Sequence, residues 1–216
     1  MHTYSTDTDR RVKVSAALGI LSFLLTANVG FVTEAIGQFV PLGLDPSVVT
    51  TGMVFTIVLY IFSKKVWSLG LLNTLGIVTV PDLSGRWEGT LTPIDSATDS
   101  NKELTSDEDV QVEVRIKQTW RHMLIQLETD KSVSESLGAS FVTDKIDPKI
   151  HYHYENSPKP GTSNTMSPHR GSAELTFVQA SRDQLRGRYY TGADRQSYGE
   201  INLQRTNSRR SILDLI

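Results

Sequence analysis

Arginines interleaved with tyrosines in the C-terminal part of the chain are the residues best suited to chemistry. Six arginines fall between positions 170 and 205, and Tyr189, Tyr190 and Tyr198 lie among them. A guanidinium group can pair with two phosphate oxygens at once, and an aromatic ring stacks on a base. The combination indicates a nucleotide site, with arginines that merely decorate the outside of a sheet as an equal alternative.

The nucleotide interpretation gives each side chain a role according to its chemistry. Arg170, Arg188 and Arg195 are predicted to bind the phosphates. Tyr154 and Tyr190 are predicted to stack on the bases. Asn156 or Thr191, with His169 nearby, is predicted to recognise a base edge.

Other chemistries have less support in the sequence. His151 and His153 share one face of a strand and could hold a metal ion, but they point away from the apolar face, and spacing fixes no third ligand. The chain has no glycine-rich phosphate loop, nucleophile elbow or paired-carboxylate motif. We therefore predict no catalytic residue, metal or cofactor. A formal net charge of −2 argues against polymeric DNA or RNA as the ligand.

The elements that must position these residues are β-strands. Apolar and polar residues alternate with period two over residues 110–117, 123–127, 150–154, 173–177, 185–189 and 199–203. With residues 85–91 and a serine-rich strand near 134–142, these runs predict an eight-stranded antiparallel β-barrel, with a β-sandwich as the alternative. Such a barrel holds packed side chains or one small ligand.

The alternation divides the candidate site between two faces. Tyr154 falls on the inner face of its strand, whereas Arg188 and Tyr190 fall on the outer face of theirs. One cavity can contain all three only beside a bulge or at the rim of the barrel.

The barrel begins with Gly85-Arg86-Trp87. A Gly-x-Trp at the start of the first strand resembles the lipocalin signature, although the rest of the lipocalin pattern is missing. The resemblance implies that Trp87 closes one end of the barrel beneath Arg205, in a cation–π contact.

Two long uncharged runs precede the barrel. Val14–Thr33 and Pro46–Ser63 contain no Asp, Glu, Lys or Arg, and Glu34–Asp45 between them carries glycine and proline. An α-helix of about 20 such residues spans a bilayer, so we predict a two-helix transmembrane hairpin. A signal peptide and a buried helical pair are the alternatives.

The flanks of the hairpin predict its orientation. Basic residues precede the first run and follow the second, whereas the connecting turn has none. Both ends of the hairpin are therefore expected in the cytoplasm. A stripe of small residues along the first helix predicts close helix packing, either within one molecule or in a homo-oligomer: Ser15, Gly19, Ser22, Thr26 and Gly30.

The chain thus divides into five predicted segments. They are a cytosolic N-terminal tail at 1–13, disordered over residues 1–9, and the hairpin at 14–63. A connecting or interfacial segment at 64–81, a cytosolic ligand-binding barrel at 82–205 and a C-terminal tail at 206–216 follow. The chain contains no cysteine, which fits a reducing compartment.

The order of these parts, together with four short motifs, resembles a known family. The motifs are DLSGRWEG at 82–89, YHYENSP at 152–158, HRG at 169–171 and LRGRYYT at 185–191. The chain is similar to the transmembrane β-barrel effectors of bacterial CBASS anti-phage defence, the CD-NTase-associated protein 15 family.

The resemblance implies a function. A CD-NTase makes a cyclic dinucleotide on infection, the β-barrel binds it, and the protein assembles in the bacterial inner membrane. The membrane is then disrupted and the infected cell dies in abortive infection. The lipid bilayer and further copies of the chain are the other expected partners. A membrane-anchored lipocalin-like carrier and a protein-binding scaffold remain alternatives.

Overall fold

The computed structural model describes residues 1–28, 50–94, 109–161, 167–192 and 197–206. The chain forms two compact units. One consists of Thr8–Thr79, and the other combines Met1–Asp7 with Val80–Ile216. The barrel unit therefore draws on both ends of the chain.

The helical unit contains α1 (Arg10–Ala27), α2 (Thr51–Lys64), a 3₁₀ turn (Val66–Ser68) and the short α3 (Gly70–Thr74). Helices α1 and α2 pack against each other. Thr50 is the N-cap of α2, and its side-chain oxygen accepts a hydrogen bond from the Met53 backbone N–H at 3.3 Å. Helix α1 begins before the predicted Val14, so the basic residues that precede the uncharged run lie within its first turn.

The membrane hairpin stays a prediction. Within the described ranges, no helix combines the length and apolarity needed to cross a bilayer. Residues 29–49, which include Gly30 and the predicted turn, lie outside the described part of the chain.

Hydroxyl groups on the small-residue stripe of α1 are satisfied by the helix itself. Ser22 is buried, and its hydroxyl donates to the Leu18 carbonyl at 2.7 Å. The Thr26 hydroxyl donates to the Ser22 carbonyl at 2.8 Å. A methyl group added at Gly19 would meet no described atom within 4 Å. This part of the stripe therefore has room for a neighbouring helix.

The strands of the other unit form one closed barrel. The predicted barrel is therefore confirmed, and the alternative prediction of a β-sandwich is wrong. The nine described strands are β1 (His2–Thr6), β2 (Gly85–Ile94), β3 (Val110–Gln118), β4 (His122–Glu128), β5 (Ser132–Val142), β6 (Lys149–Pro158), β7 (His169–Phe177), β8 (Gln184–Thr191) and β9 (Tyr198–Arg205). Their order around the barrel is β1-β4-β3-β2-β9-β8-β7-β6-β5. Neighbours are antiparallel, except that β1 runs parallel to β5.

The strand count corrects the sequence prediction of eight. The additional strand is β1, whose residues were expected to be disordered. Threonine and tyrosine are enriched in strands, but five residues do not form a stable strand without partners, and here pairing with distant strands decides the conformation. The alternation within the predicted strands is confirmed: in β8, Leu185 is fully buried, whereas Arg186 and Arg188 are exposed.

Trp87 and Arg205 make the predicted contact. Trp87 is fully buried, and the guanidinium carbon of Arg205 lies 4.3 Å from the centre of its ring. The same guanidinium donates to the backbone carbonyls of Ser84 at 2.7 Å and Asp82 at 2.9 Å. Arg205 thus ties the last strand of the barrel to the segment that enters β2.

Candidate ligand-binding site

A cavity of about 820 Å³ lies inside the barrel, at the end where β2 finishes and β3 begins. Its size is that of a site for a small organic ligand. Strands β2 to β9 and the turn between β4 and β5 all contribute to its lining: Leu91, Pro93, Asp109, Val110, Gln111, Leu127, Thr129, Asp130, Lys131, Ser132, Ser134, Tyr152, Tyr154, Asn156, His169, Tyr189, Thr191, Ser197 and Ile201.

The structure brings only some of the residues predicted to bind the ligand to the cavity. Tyr154, Asn156, His169 and Thr191 line the cavity. Arg195 lies outside the described residues.

Arg170, Arg188 and Tyr190 are not brought to the cavity. Nε of Arg170 lies 3.2 Å from Oε1 of Glu155, and Nη2 of Arg188 lies 3.9 Å from Oε1 of Glu200. Both are ion pairs between exposed side chains. Tyr190 stacks on Tyr198 with a centroid separation of 6.4 Å. The period-two alternation of a strand places these side chains on the outer face, and no bulge occurs in β8 to change it.

Asn156 is a buried polar residue of the cavity wall. Its side chain is held by the neighbouring strand β5, because Nδ2 donates to the hydroxyls of Ser132 at 3.0 Å and Ser134 at 2.8 Å. Only 7% of the residue is exposed, and within the described chain Oδ1 has no hydrogen-bond partner. Hydroxyls both donate and accept, so the serine pair accommodates either orientation of the amide. In both orientations one polar atom of the amide is left unpaired.

Thr191 is engaged elsewhere. Its hydroxyl donates to the Ser197 carbonyl at 3.0 Å and accepts the Ser197 backbone N–H at 2.8 Å. These bonds join the end of β8 to the start of β9. Of the two residues predicted to read a base edge, Asn156 has a polar atom without a partner in the described chain, whereas the Thr191 hydroxyl is already paired.

Two tyrosine rings of the cavity lie against glycines of the adjacent strand. A Cβ atom at Gly171 would come within 2.4 Å of the Tyr154 ring, and one at Gly199 within 2.6 Å of the Tyr189 ring. Only a residue without a side chain permits such an approach. The Tyr154 hydroxyl donates to the Tyr190 backbone carbonyl at 3.3 Å. These contacts orient both rings in the cavity.

Charge at the cavity is mixed. Asp109, Asp130, Lys131 and His169 line it, and the described lining contains no arginine. The Asp109 carboxylate accepts a hydrogen bond from Thr92 at 2.6 Å. Deeper in the barrel, burial, with a smaller contribution from Tyr154, raises the pKa of Tyr152, whose hydroxyl stays protonated.

Sequence reasoning missed several residues of the cavity. Ser132 and Ser134 were not singled out, although Ser132, Ser134 and Ser136 occupy successive inward positions of β5 and are all buried. Tyr189 was noted among the arginines but was not assigned a role. Small polar residues at alternate positions of a strand, on the face that points into the barrel, are the signal that could have identified the serines.

A closed barrel with a cavity of aromatic and hydrogen-bonding side chains at one end is typical of a small-molecule binding domain. Comparisons with known proteins identify the family within this class. Residues 78–205 match the family described as Cap15, cyclic dinucleotide receptor domain, and the chain belongs to that family.

Two curated relatives agree with this assignment. A CD-NTase-associated protein 15 of Yersinia aleksiciae is 32% identical over 160 residues, which cover 74% of this chain and 71% of the relative. Another, of Staphylococcus schleiferi, is 27% identical over 124 residues, which cover 57% of this chain and 60% of the relative. The resemblance seen in the sequence is confirmed. The barrel is a receptor domain of the CBASS effector type, in the family whose ligands are cyclic dinucleotides.

Proposed function

We propose that the cavity binds a cyclic dinucleotide and that binding switches the protein to an assembled, membrane-disrupting state. The observation that carries the proposal is the pairing of a buried amide with oriented tyrosines in the cavity of a cyclic dinucleotide receptor domain. Aromatic faces stack on any base, whereas an amide selects among bases by their hydrogen-bonding edges. The cavity offers both functions together.

The bases would occupy the interior. Tyr154 and Tyr189 offer ring faces, and Asn156 offers the polar atom that has no partner in the described chain. A buried polar group without a partner costs about 1–3 kcal/mol, and a ligand that pairs with it recovers this cost. Asn156 would therefore favour a base with a complementary donor or acceptor over an apolar ligand.

The phosphates would lie towards the open end. Lys131 stands in the turn between β4 and β5, and His169 stands at the start of β7. The Thr129 hydroxyl holds this turn by accepting the backbone N–H of Lys131 at 3.2 Å and of Ser132 at 3.0 Å. Arg170 and Arg188 are paired with carboxylates on the outer face, so Lys131 and His169 replace them in this assignment.

The membrane step rests on the uncharged runs and on family membership. The two runs and their basic flanks favour a hairpin in the bacterial inner membrane with both termini in the cytoplasm. Oligomerisation through the small-residue stripe of α1 would follow ligand binding by population shift, if the assembled state binds the ligand more tightly. Disruption of the membrane would then end the infection with the death of the cell.

Calorimetric titration of the full chain in detergent tests the binding step. We expect one of cyclic di-AMP, cyclic di-GMP and cyclic GMP–AMP to bind with an affinity that falls as salt rises. Asn156→Ala should weaken binding roughly tenfold or more, because a buried hydrogen bond to the ligand is lost. Arg170→Ala, on the outer face, should leave the affinity unchanged.

The same titration identifies the competing assignments. A loss of affinity in Arg170→Ala but not in Asn156→Ala would move the ligand to the outer face of the sheet. No binding of any cyclic dinucleotide to a protein with a cooperative thermal unfolding transition would contradict the proposed function and favour the carrier alternative.

A further inference from the structure

Strand β1 is inserted between two strands that otherwise pair with each other. Strands β4 and β5 pair directly at residues 126–128 and 133–135. Beyond this stretch they separate, and β1 lies between them, antiparallel to β4 at His2 and Thr3 and parallel to β5 from Tyr4 to Thr6. The register of β5 shifts between Ser136 and Gly138, where the strands part. The two strands thus form a slot for an additional strand.

Side chains hold β1 in this slot from end to end. Tyr4 is buried, packs edge-on against Phe141 at a centroid distance of 5.3 Å, and donates its hydroxyl to the Thr119 carbonyl at 3.2 Å. At the end of the strand, the Asp7 carboxylate accepts hydrogen bonds from the Thr143 backbone and hydroxyl at 3.0 and 2.9 Å. The slot therefore recognises this particular segment.

One row of serines connects the slot to the ligand cavity. Ser132 and Ser134 hold Asn156 in the cavity wall. Ser136, the next inward residue of β5, lies 2.7 Å from Nε2 of His2 and accepts the Ile125 backbone N–H at 2.9 Å. A change in β5 at the cavity therefore bears directly on the residues that hold β1.

Strand β1 also leads into the first helix. Two residues, Thr8 and Asp9, separate Asp7 from the start of α1 at Arg10. The family model matches residues 78–205, so β1 lies outside the matched region although it pairs with both β4 and β5 of the barrel.

We propose that the slot between β4 and β5 is a binding site for the N-terminal segment, residues 2–6, and that release of this segment carries the ligand signal from the barrel to α1. This inference rests on the proposed function. In this structure β1 is bound in the slot, so a signal that β1 carries consists of its release. A ligand that contacts the serine row of β5 favours the released state.

Thermodynamic linkage makes the inference measurable. If the ligand favours release, retention of β1 must weaken ligand binding by the same factor, typically about 5- to 150-fold for coupled sites. The chain has no cysteine, so a disulfide can be introduced without competing thiols. Thr3 and His122 are register partners on adjacent antiparallel strands, and both are exposed.

The decisive variant is the full chain with Thr3→Cys and His122→Cys. It is titrated in detergent with the tightest binder among cyclic di-AMP, cyclic di-GMP and cyclic GMP–AMP, before and after reduction. We expect the oxidised form to bind at least fivefold more weakly than the reduced form. The control carries Lys117→Cys and Leu124→Cys, register partners in β3 and β4 that leave β1 free. Its affinity should not change on reduction.

Hydrogen exchange gives a second measurement that needs no disulfide. Saturation of the unmodified chain with the same nucleotide should lower the protection of the β1 amides by tenfold or more. Equal affinities of the oxidised and reduced pair, or unchanged protection of β1, would overturn this inference while the proposed function stands. No nucleotide binding to either form would overturn both.

Discussion

The contact between Gly171 and Tyr154 illustrates how single residues shape the cavity. The Tyr154 ring covers Gly171, and the Tyr190 backbone carbonyl lies equally close to the position that a Cβ atom would take. A glycine in a strand interior usually weakens the strand. Here the loss is offset because the ring packs directly on the backbone of the neighbouring strand, and its orientation in the cavity depends on that packing.

We predict that Gly171→Ala reduces both stability and ligand affinity. The added methyl group must displace the Tyr154 ring or the β8 backbone, and such overpacking typically costs about 1–3 kcal/mol. Thermal unfolding and nucleotide titration of the full chain measure the two effects. Gly138→Ala is the matched control in β5, since a Cβ atom there meets nothing within 4 Å of the described chain. Equal behaviour of the two variants would show that the ring is not held by Gly171.

Strand β1 shows how an element gains its structure from distant partners. Its hydrogen bonds go to β4 and β5, more than a hundred residues further along the chain. The carboxylate of Asp7 is part of this attachment. Burial raises the pKa of Asp7, but hydrogen bonds from Thr143 and Asp144 outweigh it and hold the pKa below its ordinary value. The charged form of Asp7 is therefore the one that the bound strand prefers.

We predict that acid loosens β1. A carboxyl group with a lowered pKa stabilises the folded arrangement above its ordinary pKa, and this stabilisation is lost as the pH falls through the lowered value, below about 4. Exchange protection of the β1 amides, corrected for the intrinsic effect of pH, should decrease in this range. Asp7→Asn should lack this step because it cannot titrate. An identical pH profile in the variant would assign the loosening to other groups.

The whole molecule joins a ligand-binding barrel to a pair of packed helices. The proposed function requires the barrel to recognise the nucleotide and the helices to assemble, so the two activities should be separable by mutation. The small-residue stripe of α1 is the place to separate them. An added methyl group at Gly19 meets no described atom, so a larger residue there need not disturb the fold of one molecule.

We predict that Gly19→Leu keeps nucleotide binding but abolishes membrane damage. A leucine side chain on the stripe prevents the close approach of a second helix. Nucleotide titration and dye release from lipid vesicles measure the two activities. Ala17→Leu, on the opposite side of α1 by helical spacing, is the control and should retain dye release. Undiminished dye release in Gly19→Leu would contradict assembly through this stripe.

Sequence alone was sufficient for what depends on local periodicity. Period-two alternation predicted the barrel strands and the correct faces of Tyr154, Arg188 and Tyr190, because successive residues of a strand must point to opposite sides. The motifs and the order of the parts also led to the family. The strand count was wrong, and assigning Arg170, Arg188 and Tyr190 to one site with Asn156 conflicted with the same alternation.

Tertiary structure alone decided which distant residues meet. The buried amide of Asn156 depends on Ser132 and Ser134, and β1 depends on a slot formed more than a hundred residues away. No local pattern encodes such contacts, because they arise only when the barrel closes and its register brings these strands side by side. Closure therefore determines both the cavity and the place of the N-terminal strand.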